Sequence, residues 1–284
     1  MIVRQFFDER RIDEVNNEVK FAVSEGRKQF SRVNVDVLGG ALVGRRVLLK
    51  NLSDSDFQVP VKINNLYQES EIILNMCRDK NLLDIVDNLL GGDAIVVNSL
   101  NLVLGSQQSV HNDSWYIPAP NHGNMAAAFV YLEDSDESCG PLFIYPGSHR
   151  LNPFMLPNGR RAVPRRGDDP KPVREYAIKQ AQENKLEKKI FTGRKGDLLI
   201  WHGEVLHGGM PILDKSKTRR SLVAHYWRSQ DVPNNKIAFE QGTPLYLIRR
   251  KRVARIAAKS PLLRRFRTWR RERNKTKCRR REAR

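Results

Sequence analysis

The chain has 284 residues, 40% of them hydrophobic, and a net charge of +18. That length holds one sizeable core or two small ones, and no stretch approaches the roughly 20 consecutive apolar residues of a membrane-crossing helix. Three cysteines, Cys77, Cys139 and Cys278, are widely spaced with no Cys-x-x-Cys pair, which argues against a disulfide framework and structural zinc and fits a reducing compartment.

The first 35 residues are helical in character, with Phe6-Phe7, Ile12, Val15, Val19 and Phe21-Ala22 at helical spacing. Charges begin within eight residues of Met1 and no apolar leader core is present, so a cytoplasmic location is expected. Arg45–Asn51 and Val59–Ile63 read as short strands. Glu69–Leu90 reads as one or two helices ended by Gly91-Gly92.

From Asp93 the texture changes. Ala94–Leu104, Met125–Leu132, Leu142–Tyr145, Asp197–Trp201 and Ser221–Trp227 are short apolar or β-branched runs separated by turns. Met125–Leu132 is almost continuously apolar, as for a strand buried on both faces. Such a series predicts a mainly β fold, a sandwich or jelly roll, with flanking α-helices. Between His149 and Gly196 lies a long polar insert, loop-like to Pro172 and then an amphipathic helix over Val173–Lys189; its length suits a lid or binding loop.

The charge is not spread evenly. Arg249–Arg284 carries 18 Lys or Arg and two acids, a net +16, which leaves +2 for the other 248 residues. A nearly neutral body, 1–248, with a helical N-terminal segment over residues 1–92 and a β core over 93–230, is therefore followed by a separate basic tail, 249–284. In the tail, Val253, Ile256, Leu262, Phe266 and Trp269 give a sparse amphipathic pattern. The tail is expected to contact an anionic membrane surface peripherally, with nucleic acid as the lesser alternative.

The chemistry concentrates in His111-Asn112-Asp113, answered far downstream by His207 and Arg219. Two imidazoles and one carboxylate occupy one face of an iron ion and leave the other positions open. An arginine on a following strand grips the far carboxylate of a 2-oxo acid. A second His-x-acid match, His202-Gly203-Glu204, has only His225 behind it as a distal ligand, too close to build a supporting sheet. His202 and Glu204 are therefore read as flanking His207, with His202 supporting it. No Ser-His-Asp or nucleophilic Cys arrangement competes.

His111–Tyr116, Ala127–Asp134, Gly140–His149, Lys195-Gly196-Asp197, Leu206–Gly209 and Arg219–Leu222 together resemble the phytanoyl-CoA dioxygenase family. The resemblance implies a double-stranded β-helix and an Fe(II)- and 2-oxoglutarate-dependent dioxygenase domain over 1–248. It implies His111, Asp113 and His207 as metal ligands, Arg219 as the 2-oxoglutarate anchor, and O2 as second co-substrate. Arg219 and Arg220 are adjacent, so only one faces the iron, and the motif favours Arg219. Where the family often has a small hydroxyl residue two after the distal His, this chain has Gly209, so that contact is missing or supplied elsewhere. Trp115, Tyr116 and Phe129 are expected along the substrate or co-substrate wall, His149 is read as structural, and His122 and His225 are assigned to surface and core without function.

The implied reaction is hydroxylation of an unactivated C–H of a small or lipid-linked metabolite, with release of succinate and CO2. The rival readings are a nucleic-acid-directed oxygenase docked by the tail and a non-catalytic cupin-like binding protein. Asp113 fills the position a halogenase leaves open for chloride, which argues against halogenation.

Overall fold

Asp8 accepts the Arg11 N–H and starts α1 (Glu9–Val23), whose buried stripe is Ile12, Val15, Val19 and Ala22. A computed structural model of the protein describes residues 1–158, 169–240 and 243–246. The region 69–90 folds as two helices because Asp79 caps a second start. Ser70 accepts the Ile73 N–H at α2 (Glu71–Cys77), and Asp79 accepts the Leu82 N–H at α3 (Lys80–Leu90). Each cap satisfies a donor that the helix leaves orphaned, worth about 1 kcal/mol. Gly91, at φ +66°, closes α3 in a left-handed conformation that favours glycine.

The compact unit Met1–Val232 is built on two antiparallel sheets. The larger contains β1 (Ile2–Val3), β2 (Asn34–Val37), β3 (Arg46–Leu48), β4 (Val61–Asn64), β5 (Ala94–Leu102), β6 (Met125–Tyr131), β9 (Leu198–His202) and β11 (Ser221–Arg228), in the order β1-β9-β6-β11-β5-β4-β2-β3. The smaller contains β7 (Leu142–Ile144), β8 (Lys189–Phe191) and β10 (His207–Gly209), in the order β10-β7-β8. Between them lies a core of Leu102, Phe129, Tyr131, Leu142, Ile144, Leu199, Trp201 and Val223. This is the double-stranded β-helix. On the other face of the large sheet, α3 packs against β5, β6 and β11, and the Tyr226 hydroxyl donates to the Cys77 carbonyl at 2.8 Å. Covered on both sides, every residue of β6 is buried, as its unbroken apolar run predicts.

Several elements differ from the sequence expectation. The first 35 residues hold only one α-helix, and β1, β2, β8 and β10 emerge where no strand was expected. His207-Gly208-Gly209 has poor intrinsic strand propensity and is held by pairing with β7. The insert helix is α4 (Lys171–Glu183). The end of the expected helix instead turns at Lys185, φ +54°, and pairs as β8.

The first compact unit ends at Val232. The charge step at Arg249 lies outside the described residues. Within the second unit, β12 (Ile237–Glu240) and β13 (Thr243–Tyr246) form an antiparallel hairpin. The basic segment 249–284, with its expected amphipathic helix, lies outside the described residues. No helix among the described residues is long and apolar enough to cross a membrane.

Candidate metal centre

His111 and His207 are cross-strand partners. The His111 N–H donates to the His207 carbonyl at 2.9 Å, and the His207 N–H to the His111 carbonyl at 2.8 Å. Their rings stand 4.3 Å apart. In each imidazole Nδ1 faces a backbone carbonyl, that of Ser109 at 2.8 Å for His111 and that of Val205 at 2.9 Å for His207. A carbonyl only accepts, so Nδ1 is the donor, and the neutral form of each ring presents its lone pair on Nε2.

Asp113 opens a short 3-10 turn, Asp113–Trp115, whose cap Asn112 accepts the Trp115 N–H. The His207 Nε2 stands 3.5 Å from Asp113 Oδ1, and the Trp201 indole N–H donates to Oδ2 at 2.9 Å. One ligand atom from each of His111, Asp113 and His207 lies within 4.8 Å of the others. All three residues are buried.

The electrostatics suit a divalent cation. Burial, reinforced by neighbouring His207, holds His111 well below the usual imidazole range. Burial pushes the Asp113 carboxyl up, but His207 and His225 pull it well below the usual carboxylate value. Neutral imidazole and ionised carboxylate are the forms a metal needs.

Of the two adjacent arginines just ahead of β11, Arg219 is the buried one. Arg219 is 2% exposed. Its guanidinium lies 5.4 Å over the Phe129 ring, and Nε and Nη1 have no partner. Arg220 points outward, beside Glu133. A buried guanidinium with unmatched N–H groups is costly unless an anion completes it.

Gly209 carries no side chain because none fits. A Cβ there would stand 2.7 Å from Ser106 Oγ and 2.8 Å from the Gln107 backbone nitrogen. The sequence reading did not weigh Ser221, two residues past Arg219 at the start of β11, which is fully buried with its Oγ unpartnered. Its signal was the Arg-x-Ser spacing.

Triad and Arg219 open into one cavity of about 530 Å³, which Phe129 and Tyr116 also line. Trp115 does not line it. Its ring packs with Leu206 and Ala181 and borders a separate small cavity beside α4, because the 3-10 turn sends consecutive side chains in different directions. His225 is buried, as expected of a core residue. It also lines the metal cavity, and its Nε2 stands 3.3 Å from Asp113 Oδ1; the alternation Ser221, Val223, His225 on β11 places it there.

Glu204 is buried and clasps the ligand loop. It accepts from Asn112 Nδ2 at 3.2 Å and from the Ser114 hydroxyl. His202 supports this corner rather than His207: its Nδ1 accepts the Glu204 backbone N–H at 3.2 Å, and its ring lies 5.4 Å from that of His149. His122 is 58% exposed, with Nε2 3.5 Å from Glu204 Oε1.

The fold and the buried two-His, one-carboxylate face define a double-stranded β-helix of the non-haem oxygenase type. The family model for phytanoyl-CoA dioxygenase matches residues 1–221, and the chain belongs to that family, whose enzymes depend on iron and 2-oxoglutarate. Among solved structures it is similar to SnoN, a non-haem alpha-ketoglutarate-dependent epimerase from nogalamycin biosynthesis, with 16% identity over 88% of this chain and 93% of that one and a TM-score of 0.61. It is also similar to SnoK, a carbocyclase from the same biosynthesis, with 14% identity over 80% and 79% and a TM-score of 0.60. EctD from S. alaskensis, solved with 2-oxoglutarate and 5-hydroxyectoine, shares 14% identity over 81% and 72%, with a TM-score of 0.56. At these identities the likeness is one of fold. Comparison with curated proteins by sequence returns no match.

Proposed function

We propose that this chain hydroxylates an unactivated C–H of a small polar metabolite, using iron(II), 2-oxoglutarate and dioxygen. One observation carries the reading: a buried Arg219, whose Nε and Nη1 have no hydrogen-bond partner, shares a cavity with the triad. The donor set and this orphaned guanidinium fit the two groups together. His111, Asp113 and His207 would hold iron, and Arg219 would pair with the distal carboxylate of 2-oxoglutarate. When bound, that pair with dioxygen supplies the oxidising chemistry and releases succinate and CO2.

This chain's own residues supply orientation and shelter. Phe129, Leu102, Leu142 and Val223 wall the inner cavity with apolar surface and keep water from the co-substrate end. Polar groups also line the cavity: Asp36, Arg46, Lys62, Asn64, Asn98 and Gln108. Arg46 is paired with both Asp36 carboxylate oxygens, and Asn64 donates to Asp36 Oδ2 at 3.2 Å. Lys62 Nζ donates to Gln108 Oε1 at 2.8 Å. An acyl chain would desolvate these charged and polar groups with no compensating hydrogen bond of its own. A small polar molecule satisfies them, and that favours it over a lipid-linked substrate.

The test is incubation with iron(II), 2-oxoglutarate, air and a library of small polar metabolites, with succinate and product mass as readouts. The expected result is substrate-stimulated succinate together with a product one oxygen atom heavier. Succinate that never exceeds the His111→Ala background would overturn the reading.

A further inference from the structure

The strand β11 carries an imidazole that the three-ligand centre does not use. His225 is 1% exposed and sits directly across from Asn98 of β5. Asn98 Nδ2 stands 3.0 Å from His225 Nδ1. An amide nitrogen only donates, so Nδ1 accepts and the ring proton resides on Nε2. That Nε2 has no well-aligned acceptor and stands 3.3 Å from Asp113 Oδ1. The β5–β11 register slips between His225 and Tyr226, a bulge of the kind that re-aims a side chain beside a functional site.

Asp113 thus lies between donors from two strands. Trp201 Nε1 takes Oδ2 at 2.9 Å, while Oδ1 faces both His225 and His207. We infer that His225 is a positioning residue of the metal centre: its Nε2–H, aimed by Asn98, holds Asp113 so that Oδ1 offers a single lone pair to a metal between His111 and His207 while Trp201 retains Oδ2. A carboxylate free to rotate would bind through both oxygens and occupy a position that a chelating 2-oxo acid needs. This role rests on the oxygenase reading above and adds a residue to it.

The test uses the full chain, with manganese(II) binding followed by electron paramagnetic resonance and the anaerobic iron(II)–2-oxoglutarate absorption recorded beside it. His225→Leu is expected to weaken manganese binding by about 10–100-fold and to shift the absorption band. His225→Gln keeps an N–H donor and is expected to restore most of the affinity. Asn98→Ala, which frees the tautomer without touching the ring, is expected to fall between. Wild-type affinity and an unmoved band in His225→Leu would overturn the proposal. Should that variant not give a cooperative melt, wild-type affinity in Asn98→Ala would overturn it equally. Absence of manganese binding by the wild type would instead overturn the oxygenase reading itself, and the proposal with it.

Discussion

His111 and His207 are joined by two backbone hydrogen bonds, at 2.9 and 2.8 Å, although almost a hundred residues separate them in the chain. The bridge sets their rings side by side without using the rings to hold the fold. Replacing His111 by Ala therefore keeps the bridge. The expected result is a metal-free melting temperature close to wild type, with manganese binding lost. A collapsed melt would show that the imidazole itself holds the two segments together.

Proton competition gives a second prediction. Burial pushes His207 down, but Asp113 beside it more than compensates and holds the imidazole above its usual 6.5. In the metal-free protein this contributes stability that is fully present below pH 6.5 and is lost as pH rises through the raised value. Asp113, held well below 3.8, contributes stability present above that value and lost as pH falls through the depressed one. A metal must displace the His207 proton, so manganese affinity should rise with pH through the raised His207 value and then level. Calorimetry between about pH 6 and about pH 9, in buffers of different ionisation enthalpy, should show proton release that fades at the upper end. A pH-independent affinity would contradict the pairing of His207 with Asp113.

Glu204 holds the ligand loop through Asn112 and Ser114. Glu204→Ala leaves the buried Asn112 amide without its acceptor, while the Ser114 hydroxyl keeps the Gly203 carbonyl, and should cost about 1–3 kcal/mol of stability, read by chemical denaturation. Because the loop carries Asp113, metal affinity should also fall, by about 10–100-fold. Loss of stability with metal affinity intact would separate the clasp from the centre.

The space at Gly209 is already taken by Ser106 and the Gln107 backbone. Gly209→Ser should therefore destabilise the fold by about 1–3 kcal/mol rather than add a co-substrate contact. A denaturation midpoint equal to wild type, with tighter 2-oxoglutarate binding, would contradict this.

The strands β5, β6, β9 and β11 were legible because each is a long apolar run with turns at its ends. The ligand set was legible because His111-x-Asp113 and His207 each follow such a run at short distance, across a turn-rich segment. What was not legible depends on which strands become neighbours. Trp201 and His225 reach Asp113 only because β9, β6, β11 and β5 lie in that order, and nothing local in either residue announces it. Trp115 was misplaced because a 3-10 turn after Asp113 turns its ring toward α4. β10 was missed because His-Gly-Gly has no strand propensity of its own. Glu204 was seen only as a neighbour of His207, since its bonds to Asn112 and Ser114 cross about ninety residues of chain.

The central claim is that one cavity holds iron on His111, Asp113 and His207 and 2-oxoglutarate on Arg219. Its most direct test is anaerobic addition of iron(II) and 2-oxoglutarate, watching for the weak visible charge-transfer band of the chelate. The wild type should show the band, and His111→Ala should lack it. Arg219→Ala should need at least about 30-fold more 2-oxoglutarate, the loss expected on truncating one partner of a buried charge pair at roughly 2 kcal/mol or more, while Arg220→Ala should match the wild type. No band in the wild type at saturating iron and co-substrate, or equal 2-oxoglutarate dependence in the two arginine variants, would contradict it.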